Sequence, residues 1–240
     1  MNTLRDEAIV LRTYKLAESD RICVLLTREH GKVRAVAHGV RKTSSRLGGR
    51  MEVLDVVDVQ LARGRTELMT VRQAQPLGTA SALRADFARL SSAMVLVEVV
   101  DAATLEHLAD PEYFEMALRA LRAVETAEDP TVVTTAFLLK TLAHDGAAPV
   151  LDRCASCGAT GELVAFDLTE GGLLCPACRR GRPVSPAAIE LLRRMLLGGL
   201  AGVLAEGRPE AANEVASIAV EAMEAHVGKR LRAARVVDTL

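Results

Sequence analysis

Apolar and polar residues alternate over the first 75 residues of the chain, a pattern typical of half-buried β-strands. The alternation predicts five strands, near residues 8–14, 22–26, 31–38, 51–61 and 67–73. Short strands with turn residues at this spacing predict a small closed barrel. An OB-type barrel fits five strands in this length, although an SH3-like barrel would give a similar pattern.

The apolar period changes to three and four residues between positions 80 and 146, which predicts helices. Phe87, Leu90, Met94, Val97 and Asp101 mark the first of these helices, which carries its apolar stripe at this spacing. Two further helices are predicted to begin at Asp110-Pro111 and Asp129-Pro130, each an N-cap residue followed by proline at the first helical position. Gly146 ends the last of these helices.

Helical patterns return after a short, loop-rich insert at residues 150–183. Ser185-Pro186 is predicted to cap a helix that runs through Leu200, and an amphipathic helix follows from about Pro209 to Leu231. The sequence therefore predicts an α+β chain of several domains. These are an OB-type barrel at 1–78, a helical domain in two parts at 79–149 and 184–240, and the insert at 150–183.

The insert carries two Cys-x₂-Cys pairs, Cys154 with Cys157 and Cys175 with Cys178, separated by 17 residues. This spacing is typical of a four-thiolate zinc site. Two disulfides are the alternative for an oxidising compartment, and a redox pair would leave one motif without a role. Four protein ligands leave no open coordination position, so the sequence predicts structural zinc. The fifth cysteine, Cys23, lies within a predicted strand and is interpreted as a small buried hydrophobe.

Charge is concentrated in one stretch, although the net charge of the whole chain is −1. Residues 28–50 hold seven cations against one acid, Glu29. The predicted DNA-binding residues are Lys32, Arg34, His38, Arg41, Lys42, Arg46 and Arg50. Clustered cations on a glycine-containing loop indicate an anion-binding surface, whereas a solvated hairpin tip is the alternative interpretation. Because Tyr14 is the only aromatic residue of the first 75, base stacking is not expected to dominate.

No phosphate-binding loop, dinucleotide-binding glycine motif or nucleophile elbow occurs in the sequence. The five histidines are scattered, so we expect neither an enzyme nor a small-molecule substrate. The start of the chain lacks the pattern of a signal peptide, and its longest apolar run is too short to span a bilayer. We therefore expect a cytoplasmic protein.

Several segments resemble the RecO family of bacterial recombination mediators. They are EAIVLR (7–12), ESDRI (18–22), LLTREHGK (25–32), AHGVRK (37–42), SR (45–46), the four-cysteine insert and HVGKRLRAAR (226–235). The resemblance implies binding of single- and double-stranded DNA, annealing of complementary strands and partnership with RecR. It also implies help in loading RecA onto strands coated by single-stranded-DNA-binding protein, whose acidic tail the family contacts.

On this resemblance, Arg41, Lys42, Arg46 and Arg50 fall in the basic DNA-binding loop and the four cysteines at the zinc ligands. The sequence departs from the family at His38 and Ser44, where lysine is frequent, and at Val53-Leu54, where proline and an aromatic residue are frequent. Arg119 and Arg122 are candidates for contacting the acidic tail. The alternative function is an adaptor with an OB barrel and a zinc ribbon, whose basic loop binds an acidic protein or RNA.

Overall fold

The N-terminal strands close into a five-stranded barrel. The computed structural model describes residues 3–16, 18–40, 47–64, 67–78 and 80–237. The strands are β1 (Thr3–Lys15), β2 (Arg21–Thr27), β3 (Gly31–Ala37), β4 (Val56–Ala62) and β5 (Met69–Gly78). They are ordered β1-β2-β3-β5-β4, and β1 pairs with β4 to close the barrel. This order, with a parallel β3–β5 pairing, confirms the predicted OB-type barrel.

The barrel interior is filled by the inward members of the alternating pattern. Val10, Cys23, Leu25, Val33 and Val59 belong to one buried cluster. Burying side chains of the Val and Leu class stabilises a fold by about 1.5–3 kcal/mol each, so this cluster accounts for the closed sheet. Cys23 is completely buried, as its position in a strand predicted.

The predicted start of the fourth strand, at Met51, is wrong. Residues 51–55 form turns, and β4 begins at Val56. Met51 instead lies in the barrel core, and Leu54 has a φ of +79°, which no strand residue adopts. Asp55 accepts a hydrogen bond from the backbone N–H of Glu52 at 2.9 Å and so stabilises the turn.

Three helices follow the barrel: α1 (Ser81–Ala85), α2 (Phe87–Ala103) and α3 (Pro111–Thr126). The predicted apolar stripe of α2 is only partly correct. Val97 is buried, but Phe87 is 58% exposed and Met94 is also exposed. The buried positions of α2 include Ser91, Ser92, Ala93, Val95, Leu96, Val99 and Val100. This helix therefore packs through small and β-branched residues that surround most of its circumference.

The remaining elements are α4 (Pro130–His144), β6 (Ala165–Asp167), β7 (Gly172–Leu174), β8 (Arg182–Pro183), α5 (Pro186–Leu197), α6 (Leu200–Ala205), α7 (Ala212–Val227) and α8 (Ala234–Val237). Asp110, Asp129 and Ser185 cap their helices as predicted. Each accepts a hydrogen bond from a backbone N–H two or three residues ahead, at 2.8 to 3.1 Å. α5 ends at Leu197, three residues earlier than predicted, because Gly198 and Gly199 have positive φ angles that stop the helix.

The chain divides into two compact units, residues 1–121 and 122–240, with the boundary inside α3. The first unit contains the barrel with α1 and α2, and the second contains α4 to α8 and the four-cysteine insert. The domain limits 1–78, 79–149, 150–183 and 184–240 stay predictions. Within the described ranges, no helix combines the length and the apolar character needed to cross a bilayer.

Candidate metal centre and nucleic-acid interface

The four cysteines of the insert converge on one point. Cys154, Cys157, Cys175 and Cys178 place their sulfur atoms within 4.8 Å of one another. The Sγ atoms of Cys157 and Cys175 are 3.8 Å apart. Zinc–sulfur bonds of about 2.3 Å in a tetrahedron give a sulfur–sulfur separation of about 3.8 Å. Both the distances and the soft thiolate donors therefore fit zinc, and the cluster could hold this ion. Among the described residues, no other set of three or more histidine, cysteine, aspartate or glutamate side chains comes this close together.

The backbone of the first Cys-x₂-Cys pair is shaped by a tight turn. The backbone N–H of Gly158 donates to the carbonyl of Cys154 at 2.8 Å, and the N–H of Cys154 donates to the carbonyl of Ala159 at 2.8 Å. Gly158 has a φ of +77°, which favours glycine. In the second pair, Pro176 begins a single 3₁₀ turn that brings Cys178 back towards Cys175.

The sulfur atoms are electrostatically coupled. The backbone N–H groups of Cys175 and then Cys157 lower the pKa of the Cys154 thiol to about 6. Hydrogen bonds with the sulfurs of Cys157 and Cys175 raise the pKa of Cys178 to about 12. Zinc ligation needs all four sulfurs as thiolates, so metal binding would release the remaining thiol protons.

Backbone hydrogen bonds hold the two ends of the insert, Val150 and the adjoining Val184, to the strands of its own sheet. Val150, just after α4, donates to Gly171 and accepts from Leu173, both at 2.9 Å. Val184, just before α5, donates to Val164 at 3.0 Å. A three-stranded sheet, ordered β7-β6-β8, connects these two attachment points.

The basic segment, residues 41–50, follows β3 and a short turn. Val40 and Met51 are both buried in the barrel core, and Leu47 packs against it, so both ends of the segment are anchored. Arg50 is exposed to solvent. The other predicted loop cations, Arg41, Lys42 and Arg46, lie outside the described residues.

A carboxylate in the β1–β2 turn fixes the start of this segment. The Asp20 side chain accepts a hydrogen bond from the backbone N–H of Gly39 at 2.8 Å and lies 2.7 Å from Nδ1 of His38. The Gly39 bond, followed by the His38 contact, lowers the pKa of Asp20 below its usual value. Asp20 therefore stays ionised in mildly acidic solution and keeps both contacts.

Lys32 has a structural environment that sequence reasoning missed. It is only 8% exposed, and its Nζ donates to the backbone carbonyl of Asp101 at 2.6 Å, near the end of α2. The Asp101 carboxylate is 3.4 Å from the same Nζ and also pairs with Arg12 at 3.1 Å. Lys32 thus neutralises the carbonyl end of α2, and its ammonium group is not presented to solvent.

Two further cations of the basic stretch contact acids that lie far away in the sequence. Arg34 pairs with Glu106 at 2.7 Å. Arg28 pairs with Glu7 at 2.6 Å and with Glu115. The net positive charge that the sequence indicated for residues 28–50 is therefore smaller in the folded unit, because these acids neutralise part of it.

We predict that Lys32→Met lowers the free energy of unfolding by about 2 kcal/mol, since it removes a nearly buried, charge-assisted hydrogen bond but keeps the apolar stem. Arg12 still balances Asp101, which limits the loss. The same variant should leave DNA affinity at every salt concentration unchanged. Urea denaturation and DNA titration of one preparation measure both quantities, and a weaker DNA affinity at unchanged stability would contradict the structural role.

Four other candidate cations lie outside the basic stretch. Arg119 Nε lies 3.3 Å from the backbone oxygen of Glu115, and Arg122 is exposed. Near the C-terminus, Lys229 is exposed and Arg230 pairs with Glu224 at 3.1 Å.

Comparison with known proteins gives consistent matches over the chain. The family model described as "Recombination protein O N terminal" matches residues 1–80, and "Recombination protein O C terminal" matches residues 84–235. A Streptomyces coelicolor protein named DNA repair protein RecO is 38% identical over 99% of this chain and 100% of its own length. Relatives of the same name from Frankia casuarinae and a Nocardioides species are 40% and 44% identical, over 97% and 83% of this chain and 97% and 84% of their own lengths. Because both halves match and the relatives align over nearly their full lengths, the chain belongs to the RecO family of DNA repair proteins.

Proposed function

We propose that this protein is a non-enzymatic recombination mediator that binds single- and double-stranded DNA and anneals complementary strands at the nucleoid in the cytoplasm. In this proposal it acts with RecR to load RecA onto strands coated by single-stranded-DNA-binding protein, whose acidic tail it contacts. The observation that carries the proposal is the cation-rich segment after β3, whose two ends are anchored in the core of an OB-type barrel. A rigid platform of this kind positions a binding loop with little loss of entropy.

The proposed DNA contacts are mainly to phosphates. Tyr14 is the single aromatic residue of the barrel segment, so a series of stacked bases has no platform there. Arginine and lysine side chains on the loop neutralise phosphates and leave the Watson–Crick edges of the bases free. Two strands held in this way repel each other less and can still pair, which is what annealing requires.

The residues assigned to this surface are Arg34, His38, Arg41, Lys42, Arg46 and Arg50. Lys32 is left out because its ammonium group is turned to Asp101. The cysteine cluster has a separate role in the proposal. Cys154, Cys157, Cys175 and Cys178 would hold a structural zinc ion, which would stabilise the insert by cross-linking its two Cys-x₂-Cys turns.

Salt titration tests the phosphate contacts. If four loop side chains each meet one phosphate, the slope of log affinity against log salt for single strands is about −3 from this loop. Arg41→Ala combined with Arg46→Ala should make the slope shallower by about one to one and a half and weaken all sequences alike. The double variant Arg153→Ala with Arg179→Ala removes the same charge from the exposed surface of the insert and serves as the control. Identical slopes for wild type and the loop variant would place the DNA surface elsewhere, with Lys229 and Arg230 the next cations to replace.

Strand annealing separates the mediator from the alternative adaptor. Purified protein should accelerate the pairing of complementary oligonucleotides without any nucleotide cofactor, and the loop double variant should lose most of this acceleration. An adaptor that binds an acidic protein or RNA would leave the annealing rate of DNA at its spontaneous value. Binding of RecR and of the single-stranded-DNA-binding protein tail can be measured with the same preparation.

A further inference from the structure

The cations of β2 and β3 nearest to the basic segment each contact a carboxylate in the folded first unit. Arg34 pairs with Glu106 at 2.7 Å, and Arg21 pairs with Glu52 at 3.4 Å. Arg34 lies on the outer face of β3, whereas Arg21 is the register partner of Ala37, at the end of β3 that leads into the segment. Arg21 neighbours Ala37 just before the segment and Glu52 follows Met51 just after it, so this pair lies at the two ends of the segment. The Arg34–Glu106 pair lies on the outer face of the strand that precedes the segment.

Both pairs are open to solvent, in contrast to the Lys32–Asp101 pair. The Arg34 and Glu106 side chains are 59% and 34% exposed and those of Arg21 and Glu52 are 30% and 50% exposed, whereas those of Lys32 and Asp101 are 11% and 14% exposed. Solvent-exposed ion pairs contribute little to stability, so another anion can replace the carboxylate at small cost. A buried pair cannot exchange in this way, because one charge would remain without a partner.

We propose that Glu106 and Glu52 are built-in competitors of DNA phosphates at Arg34 and Arg21. Without DNA, each carboxylate occupies the position of a phosphate on its arginine. When DNA binds, the phosphate replaces the carboxylate, which turns into solvent. This inference rests on the proposed DNA-binding function and adds the residues that lower the affinity for DNA. The pairs keep the affinity of the barrel for DNA below the value that its cations would otherwise give, so a bound strand remains easy to release.

The exchange has a thermodynamic signature. A phosphate that meets a free arginine releases its condensed counterion, which contributes about −0.7 to the salt slope for single strands. A phosphate that displaces Glu106 also leaves a free carboxylate, which attracts cations from solution. The net release of ions at a paired arginine is therefore close to zero, and that arginine adds little to the slope.

A double-mutant cycle tests the competition at Arg34, with a labelled thirty-nucleotide oligo(dT) as the probe and the full chain as the protein. Glu106→Gln keeps the shape of the side chain and removes its charge. It should raise affinity at low salt by about two- to fivefold and steepen the slope by about 0.7. Arg34→Ala alone should lower affinity by less than it does in the Glu106→Gln background, where no carboxylate competes for Arg34. Arg34→Ala in the Glu106→Gln background should abolish the gain.

Glu52→Gln provides an independent measurement at Arg21, with the same expected gain. The matched control is Asp58→Asn, which frees Arg5 from its pair on β1 and β4. Arg5 lies ten residues along β1 from Lys15, the register partner of Arg21, so this variant should leave binding unchanged. Thermal melts of all variants verify that they fold alike.

The outcomes distinguish the inference from the proposed function. If wild type binds oligo(dT) but both glutamate variants match it, the competition is refuted and DNA binding stands. An equal loss on Arg34→Ala with and without Glu106 would also refute the competition, because Arg34 would then bind phosphate unhindered. If neither wild type nor any variant binds the probe, the proposed function itself fails.

Discussion

Cys175→Ser should abolish zinc binding and unfold the insert at residues 150–183, the largest effect that we expect from a single substitution. A structural four-thiolate site contributes on the order of 10 kcal/mol to the folding of its module. Cys175 is buried and its sulfur lies 3.8 Å from that of Cys157, so serine at this position removes one of the four sulfur ligands. Metal analysis in reducing buffer should show about one zinc per wild-type chain and none in the variant.

Cys23→Ala is the matched control for Cys175→Ser, since it removes a buried cysteine outside the cluster. It should keep full zinc content. Hydrogen exchange of Cys175→Ser should lose protection in the insert and retain it in the barrel. Wild-type protein without zinc in reducing buffer, or a Cys175→Ser variant with normal zinc content, would refute the structural metal.

Gly31→Ala should destabilise the first unit by about 2–5 kcal/mol. Gly31 has a φ of +69°, which costs a residue with a side chain roughly 1–2 kcal/mol. A Cβ atom at this position would lie 2.2 Å from the backbone oxygen of Leu108, so the segment before α3 would have to move away from β3. Such overpacking adds about 1–3 kcal/mol.

Gly78→Ala is the control for Gly31→Ala, because a Cβ atom there meets nothing within 4 Å. It should change the stability by less than about 0.5 kcal/mol. Urea denaturation followed by circular dichroism gives the difference, and hydrogen exchange of β3 amides locates it. Equal stabilities of the two variants would show that the segment before α3 yields without cost.

The elements that the sequence predicted well are those with strictly local signals. The four-cysteine cluster follows from the spacing of two Cys-x₂-Cys pairs, since a short turn brings the two thiols of each pair close together. The helix starts at Asp129 and Ser185 follow from the chemistry of one side chain and one proline. The barrel follows from period-two alternation, which needs no knowledge of distant residues.

The predictions that failed depended on what lies opposite a residue in space. Residues 51–55 were predicted as part of a strand, but they form turns and Met51 packs in the barrel core. In α2, apolar residues surround the helix, so periodicity could not identify Phe87 and Met94 as the exposed members. Lys32 was predicted to bind DNA, because its partner Asp101 is 69 residues away in the sequence. An excess of acids at residues 78–148 was visible, and pairing it with the basic stretch would have found this contact.

The attachment of the insert at Val150 and Val184 has a consequence for the helices on either side. Without metal, the connection from α4 to α5 becomes a free loop of about 40 residues. Loop-closure entropy grows only logarithmically, so lengthening an effective loop from about 10 to about 40 residues costs about 1.2 kcal/mol. That is a small share of the roughly 5–15 kcal/mol by which a domain is stable. Since α4 contacts α5 and α7 directly, the helices of the second unit should outlast the metal. If zinc occupies the cysteine cluster as proposed, its content should vary with supply while the rest of the chain stays folded.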